Sequence, residues 1–457
     1  MVRQQYIEIT KFSRLQEIFS RLGVSHLLLK IMSPNDNSKN QVYLGSDFQA
    51  LNSIPNLGVV TDTDSEAGSK RDRFKAGLDF HWVNASGESH LAPNAQLILY
   101  PKYPEVRMSG FLARCSNAPS EQMTSRNEGR LLFLGIRDDD RILGHLTGPD
   151  NPIGNEIKST LPPDNEGIFF RLPIDINQQA MSSKKKLLSA LYKIHEKGWI
   201  DSVRLDAEKK IMPCRSSNCG GYTLEAMLGI TPNGSSDPDY LGWEVKQHGV
   251  KNLNKPHNGG PITLMTPEPT SGLYTEKGIE YFIREFGYPD KNGIPDRLNF
   301  GGIYKNGQRV DSTGLTLCLE GYNPETGKIT NTDGGIKLLD DTGRETAIWK
   351  FTNMMSHWNR KHAKAVYIPS LIRKDPQQQY CYGSLVDLGE GTDFLMFLRA
   401  INSGLIYYDP GIKLENASHL KPKIKRRSQF RIKSKQVGAL YKNFTMMDMR
   451  SIDFDTI

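Results

Sequence analysis

Cysteine is scarce and odd in number in this chain: Cys115, Cys214, Cys219, Cys318 and Cys381 are the five among 457 residues. Their scatter argues against a disulfide framework and for a reducing, cytoplasmic setting. Cys214 and Cys219 lie close enough to open a zinc clip, but no second cysteine or histidine pair follows at a zinc spacing. No run of about eighteen apolar residues is present, so no helical membrane span is expected. The stretch from Met1 to Glu8 lacks the apolar core of a secretion signal. There is no internal repeat and no glycine-rich phosphate loop of the Walker type. What remains is an ordinary globular composition, 37% hydrophobic and 24% charged, long enough for two or three domains. A net charge of +7 points weakly to a polyanionic partner.

The front of the chain reads as short strands. Ile9, Phe12, Leu15, Ile18, Phe19 and Leu22 recur at helical spacing and lead into an apolar strand, Ser25 to Ile31. Further strands are expected at 41–44, 58–60, 78–83, 95–100, 110–114 and 130–136, separated by polar breaks. Such spacing predicts a small all-β barrel. Lys70, Arg71, Arg73, Lys75, Lys102, Arg107 and Arg114 occupy its loops. They are either a solvated surface or arms that grip a duplex through phosphates and base edges. Residues 150–187, rich in Pro, Asn, Asp and Ser, read as the exit from this domain and a linker.

Past the linker the pattern changes. Leu187, Leu188, Leu191, Tyr192 and Ile194 predict an amphipathic helix; 199–221 reads as a loop, and 223–228 as a short helix capped by Thr223. A strand leading into a loop over 261–269, strands at 314–320 and 365–369, and a helix over 391–402 with Phe394, Phe397, Leu398 and Ile401 inward, imply a mixed α/β core.

The chemistry concentrates between Ser236 and Lys246. Glu244 and Lys246 are two apart in a short strand and leave it on one face, with Val245 turned to the core. Asp239 stands five residues before Glu244, on the wrong face for a straight strand. The chain must bend between them, and Gly242 is where a bend is easiest. The bend would gather Asp239, Glu244 and Lys246 at one point. Two carboxylates are hard ligands suited to a magnesium ion that keeps several waters. A lysine beside them can orient or deprotonate a water and neutralise a phosphate. That is the equipment for metal-assisted hydrolysis of a phosphodiester. The competing reading is a surface strand with an energetically minor ion pair.

The last charged feature is a basic segment. His419, Lys421, Lys423, Lys425, Arg426, Arg427, Arg431, Lys433 and Lys435 fall close together, and no acid lies between Lys421 and Lys442. Phe430, Ile432 and Leu440 interrupt it, so it reads as a folded ribbon carrying charge, suited to a phosphate backbone.

The run from Gly221 to Ile230, then Pro238-Asp239, Gly242-Trp243-Glu244-Val245-Lys246 and Ile262 to Pro269, resembles the MvaI/BcnI family of type II restriction endonucleases. The resemblance covers roughly residues 187–445. It implies a PD-(D/E)xK nuclease core related to MutH, with Asp239 and Glu244 holding magnesium, Lys246 activating or positioning the attacking water, and Glu225 supporting the site from a helix. More weakly, the front of the chain is similar to the N-terminal effector domain of the EcoRII type, a DNA-binding pseudobarrel. Lys30 to Leu44, with Asn35 and Asp36, and Glu105-x-Arg107 carry that likeness.

Together these readings predict a multidomain chain: an all-β effector domain over 1–173, a linker over 174–187, and an α/β nuclease domain over 188–457. Candidate DNA contacts are Lys30, Asn35, Asp36, Lys102, Glu105 and Arg107 in the first, and Arg215, Ser217, Asn218, His419, Lys421, Lys423, Arg426, Arg427, Arg431 and Lys433 in the second. The resemblance implies cleavage of duplex DNA at a short site, CCWGG, by a monomer that binds a second, effector duplex. Two other readings stay open: a MutH-like strand-nicking repair enzyme, and a DNA-binding regulator with an inert core.

Overall fold

The computed structural model describes residues 6–34, 40–62, 73–158, 165–166, 168–174, 183–216, 218–231 and 238–452. The backbone forms two compact units, residues 1–181 and 182–457.

The first unit opens with the helix Phe12–Arg21, which buries Leu15, Ile18 and Phe19 and turns Arg14 and Glu17 outward. Gly23, at φ +77, turns the chain into the strand Val24–Ile31. That strand lies inside a seven-stranded sheet, flanked by Leu131–Arg137 and Phe169–Leu172. The segment read as a domain exit thus returns a strand to the sheet: Leu172 pairs with Leu27. Leu27, Leu29, Phe133 and Leu143 pack with the helix to form the core.

A second, five-stranded sheet runs in the order Val42–Tyr43, Glu105–Ser109, Gln96–Tyr100, Phe74–Gly77, Val59–Thr61. Alternation sorts its faces. Val42, Met108, Leu97, Ala76 and Val59 form one buried row; Tyr43, Arg107, Ile98, Lys75 and Val60 form the row on the opposite face. The strand expected at 110–114 is absent. The strand is Glu105–Ser109, and the chain leaves it at Gly110, at φ +77, where a Cβ would collide with the Asn94 carbonyl.

The second unit is built on a six-stranded mixed sheet whose long member is Lys364–Arg373. Glu244–Gly249 runs parallel to it, from Glu244 beside Ala365 to Gly249 beside Ser370. Leu385–Glu390 and Gln379–Tyr382 pair with it antiparallel. The helix Ser183–Glu196 lays Leu187, Leu188, Leu191 and Ile194 against Val366, Ile368, Tyr380 and Val386. It starts inside the stretch read as linker.

The loop expected over 199–221 is instead three short strands, Trp199–Asp201, Val203–Leu205 and Ile211–Pro213, followed by the helix Cys219–Met227. Thr223 lies within that helix, so it is no cap. Its hydroxyl exchanges hydrogen bonds with the backbone of Val203, fixing helix to strand. The cysteines also depart from expectation. The chain doubles back at Ser216, whose N–H points to Cys219 Sγ, and Cys214 and Cys219 are joined in a disulfide. Cys115, Cys318 and Cys381 are free thiols.

The basic segment is divided between two sheets: Phe430–Lys433 lies between Pro261–Met265 and Ile406–Tyr408 in a three-stranded one, and Lys423–Lys425 is the edge strand of a four-stranded one, paired with Gly411–Glu415. No helix among the described residues is long and apolar enough to cross a membrane.

Candidate active site

Tyr240 and Trp243 exchange both backbone hydrogen bonds at 2.9 Å and close a two-residue turn. Its central residues, Leu241 and Gly242, both have positive φ, +51 and +80. Such turns match the twist of paired strands. This is the bend that the spacing of Asp239 and Glu244 requires. Asp239 reaches back across it, its Oδ2 accepting the Val245 N–H at 3.0 Å. Trp243 and Val245 point into the core; Glu244 and Lys246 leave the opposite face.

Glu244 is 1% exposed, and its Oε1 is in ion-pair contact with the Lys246 ammonium. Lys361, from the end of the helix Phe351–His362, brings a second ammonium to 3.7 Å from the same oxygen. Oε2 has no hydrogen-bond donor among the described residues. Glu225 comes from the helix Cys219–Met227, which approaches the Glu244 strand closely: a Cβ on Gly220 would stand 2.7 Å from the Gln247 amide oxygen.

These groups feel one another. Burial pushes the Glu244 carboxyl up to about 7; Lys246 pulls against that rise and Asp239 adds to it. Glu225 is raised as well, by burial and then by Asp239. Burial alone would push the Lys246 ammonium down, but Glu244, Asp239 and Glu225 outweigh it and hold it up. Lys246 is therefore a firm cation here. His362 is the opposite case: burial, then Lys246 and Lys361, drive it well down, so it sits neutral with Nε2–H on the Leu264 carbonyl.

Three carboxylates thus face two ammonium groups, and a buried oxygen lacks a donor. Both features suit a divalent cation. No three His, Cys, Asp or Glu side chains form a ready cage among the described residues. Magnesium does not require one, since it binds through one or two carboxylates, waters and substrate oxygens. Asp239 and Glu244 are the side chains that would hold it.

The model of the MvaI/BcnI restriction endonuclease family matches residues 188–441, which include every group just described. The chain belongs to that family. Two solved structures of MvaI are similar to part of the chain. One is a complex with cognate DNA substrate, 16% identical, covering 58% of this chain and 99% of that one at a TM-score of 0.43. The other lacks DNA and is 14% identical, covering 59% and 99% at a TM-score of 0.32. No curated protein matches in sequence.

The MvaI/BcnI-type unit presents most of its candidate DNA residues to solvent. Arg215 and Asn218 are exposed on the disulfide-closed loop, while Ser217 lies outside the described residues. His419, Lys421, Lys423, Arg426, Arg427 and Lys433 are exposed on or beside the ribbon. Arg431 is not poised in the same way. Its guanidinium is held by Asp409 at 2.6 Å and the Pro261 carbonyl at 3.0 Å.

In the first unit Lys30 is half-buried on its strand, its ammonium pushed down by burial. Lys102 lies over the Tyr103 ring at 5.8 Å. Arg107 pairs with Glu105 at 2.8 Å and stacks on Tyr100 at 5.5 Å. Arg73 and Lys75 share Asp62. Asn35, Asp36, Lys70 and Arg71 lie outside the described residues.

Lys361 was not among the expected site residues. Its helix ends just before Lys364–Arg373, the strand beside Glu244–Gly249. Only that strand pairing marks it.

Proposed function

We propose that this protein is a type II restriction endonuclease that hydrolyses phosphodiester bonds of duplex DNA with magnesium and leaves 5′-phosphate ends. The observation that carries the reading is Glu244: a buried carboxylate with one oxygen lacking a donor, flanked by Asp239 and Glu225 and faced by Lys246 and Lys361. Asp239 and Glu244 bind the metal, which supplies positive charge against the scissile phosphate. Glu225 adds negative charge that helps hold Lys246 as a cation. Lys246 orients the attacking water and steadies the charge that builds on the phosphate. Lys361, partly exposed at 24%, faces the substrate side and adds a second cation there.

In this reading the core is of the PD-(D/E)xK kind. The first unit is a pseudobarrel effector domain that binds a second duplex, the target is CCWGG, and the enzyme acts as a monomer in the cytoplasm, with one active site per chain. The basic ribbon from His419 to Lys433 carries phosphate contacts of the cleaved duplex.

The test is incubation of the full chain with methylation-free plasmid DNA and magnesium, beside Asp239→Ala, with sequencing of the fragment ends. Discrete fragments sharing one short motif, made only by the wild type, are expected. Nicked circles as the end product would favour a strand-nicking repair enzyme. Retardation without cleavage by both proteins would overturn the nuclease reading in favour of a DNA-binding regulator.

A further inference from the structure

On the same face of the sheet as Lys246 lies a second polar pair that the catalytic groups do not use. Lys246, Tyr367 and Asp387 sit side by side on three neighbouring strands. At a strand spacing near 4.8 Å, Asp387 is roughly 10 Å from Lys246 across the sheet. Tyr367, buried between them, is driven up by burial first, then by Tyr441, and further by both Glu244 and Asp387.

The Asp387 side chain is only 4% exposed, yet both its oxygens lie within 3.0 Å of one nitrogen, His257 Nε2. A carboxylate this deep is costly unless it is paired. Its partner is 44% exposed. Facing a carboxylate, Nε2 is the nitrogen that carries the ring proton. The other ring nitrogen, Nδ1, has no partner among the described residues.

The pair is not needed to fix its loop. Ser434 Oγ donates to the carbonyls of His257 and Gly259 at 2.9 and 3.1 Å, His248 Nε2 to that of Pro256 at 2.9 Å, and Gly260 N–H to that of Gly249 at 3.2 Å. The backbone is bolted down on its own, and the imidazole is presented at the surface with a buried anion behind it.

We propose that His257, braced by Asp387, binds a phosphate of the cleaved DNA strand that flanks the scissile one. This rests on the nuclease reading above. With Nε2–H turned to the buried carboxylate, Nδ1 of this half-exposed ring is the nitrogen left for a phosphate oxygen, and in the complex it carries the second proton that the contact requires. Asp387 is a positioning residue: it never meets the DNA, but fixes the ring's orientation and tautomer.

The measurement is binding of a short synthetic duplex carrying the cleavage motif, without divalent metal, at fixed pH over a range of KCl concentrations. Each phosphate contact contributes about 0.9 to the slope of log Kd against log salt. His257→Gln keeps an N–H for Asp387 but carries no charge. It is expected to lower the slope by about one such increment and to weaken binding about tenfold. His257→Arg, which restores a cation, is expected to recover the slope. His257→Ala with Asp387→Asn removes the pair without stranding a buried carboxylate; it should match His257→Gln if the phosphate contact is what was lost. A wild-type slope in both His257→Gln and the double variant would overturn the proposal while leaving the nuclease reading intact. Absence of salt-dependent binding by the wild type would overturn both.

Discussion

His145 shows how a single residue ties the first unit to pH. It is fully buried, and its ring is specified as neutral: Nε2 accepts the Ile9 N–H at 3.0 Å, while Nδ1 donates to the Val83 carbonyl at 2.8 Å, with the Tyr6 hydroxyl also 2.8 Å away. A second proton on Nε2 would face the Ile9 N–H head-on. Burial accordingly lowers His145 to about 4 from its ordinary 6.5. Between those values the unfolded chain binds the extra proton and the folded one does not. The contribution is complete above pH 6.5 and is lost as pH falls toward 4, about 3 kcal/mol in all. Amide protection in strands 131–137 and 142–147 should therefore fall steeply between pH 7 and 4.5, and less so in His145→Gln. Equal pH dependence in the two proteins would refute this. The candidate site residues differ in how far the sequence exposes them. Asp239, Glu244 and Lys246 are legible because their spacing forces a bend and a glycine is there to make it. Lys361 and His257 are not, because each meets its carboxylate only through strand pairing distant in sequence.

The turn at Leu241–Gly242 is the element on which the site depends. It lets Asp239 fold back to the Val245 N–H, and it needs positive φ at two successive residues. Gly242 adopts that conformation freely, whereas a β-branched side chain resists it by about 1–2 kcal/mol. Gly242→Val is therefore expected to lower thermal stability by a few degrees. It should lower turnover more than DNA affinity, because it would shift Asp239 against Glu244, the two proposed metal ligands. Cleavage rates at saturating DNA, set beside binding without metal, separate the two; a variant with wild-type turnover would show that the turn does not fix the ligands. Elsewhere the legibility of elements follows their length and period. The amphipathic helix at 183–196 and the buried strand at 364–373 announce themselves. The strands within 199–213 are three residues each, too short for a period, and owe their existence to partners such as Gln379–Tyr382. Thr223 looks like a cap by residue type, but its hydroxyl is used in a tertiary contact.

Charge distribution belongs to the scale of the whole molecule. In the sequence the basic ribbon contains no acid, yet neighbouring strands supply some: Asp409 takes Arg431, and Glu415 takes Lys425 at 2.7 Å. A run of one sign is thus a poor measure of the charge left for a partner. The first unit makes the same point, since Glu105 already occupies part of Arg107. Among its described residues Lys102 lies over Tyr103 and Arg107 over Tyr100. Cations held in this way can contact the phosphates of a duplex. If the first unit is an effector site, a short duplex carrying the cleavage motif, added in trans, should accelerate cleavage of a one-site plasmid by the wild-type chain. Lys102→Glu with Arg107→Glu replaces two cations with anions, so the acceleration should vanish at moderate salt. The duplex concentration needed for any residual effect should rise with a salt slope about two units shallower than in wild type. Acceleration that survives both reversals would remove these residues from the effector role. Loss of stimulation with cleavage still dependent on Asp239 would place regulation in residues 1–181 and chemistry in residues 182–457 of one chain.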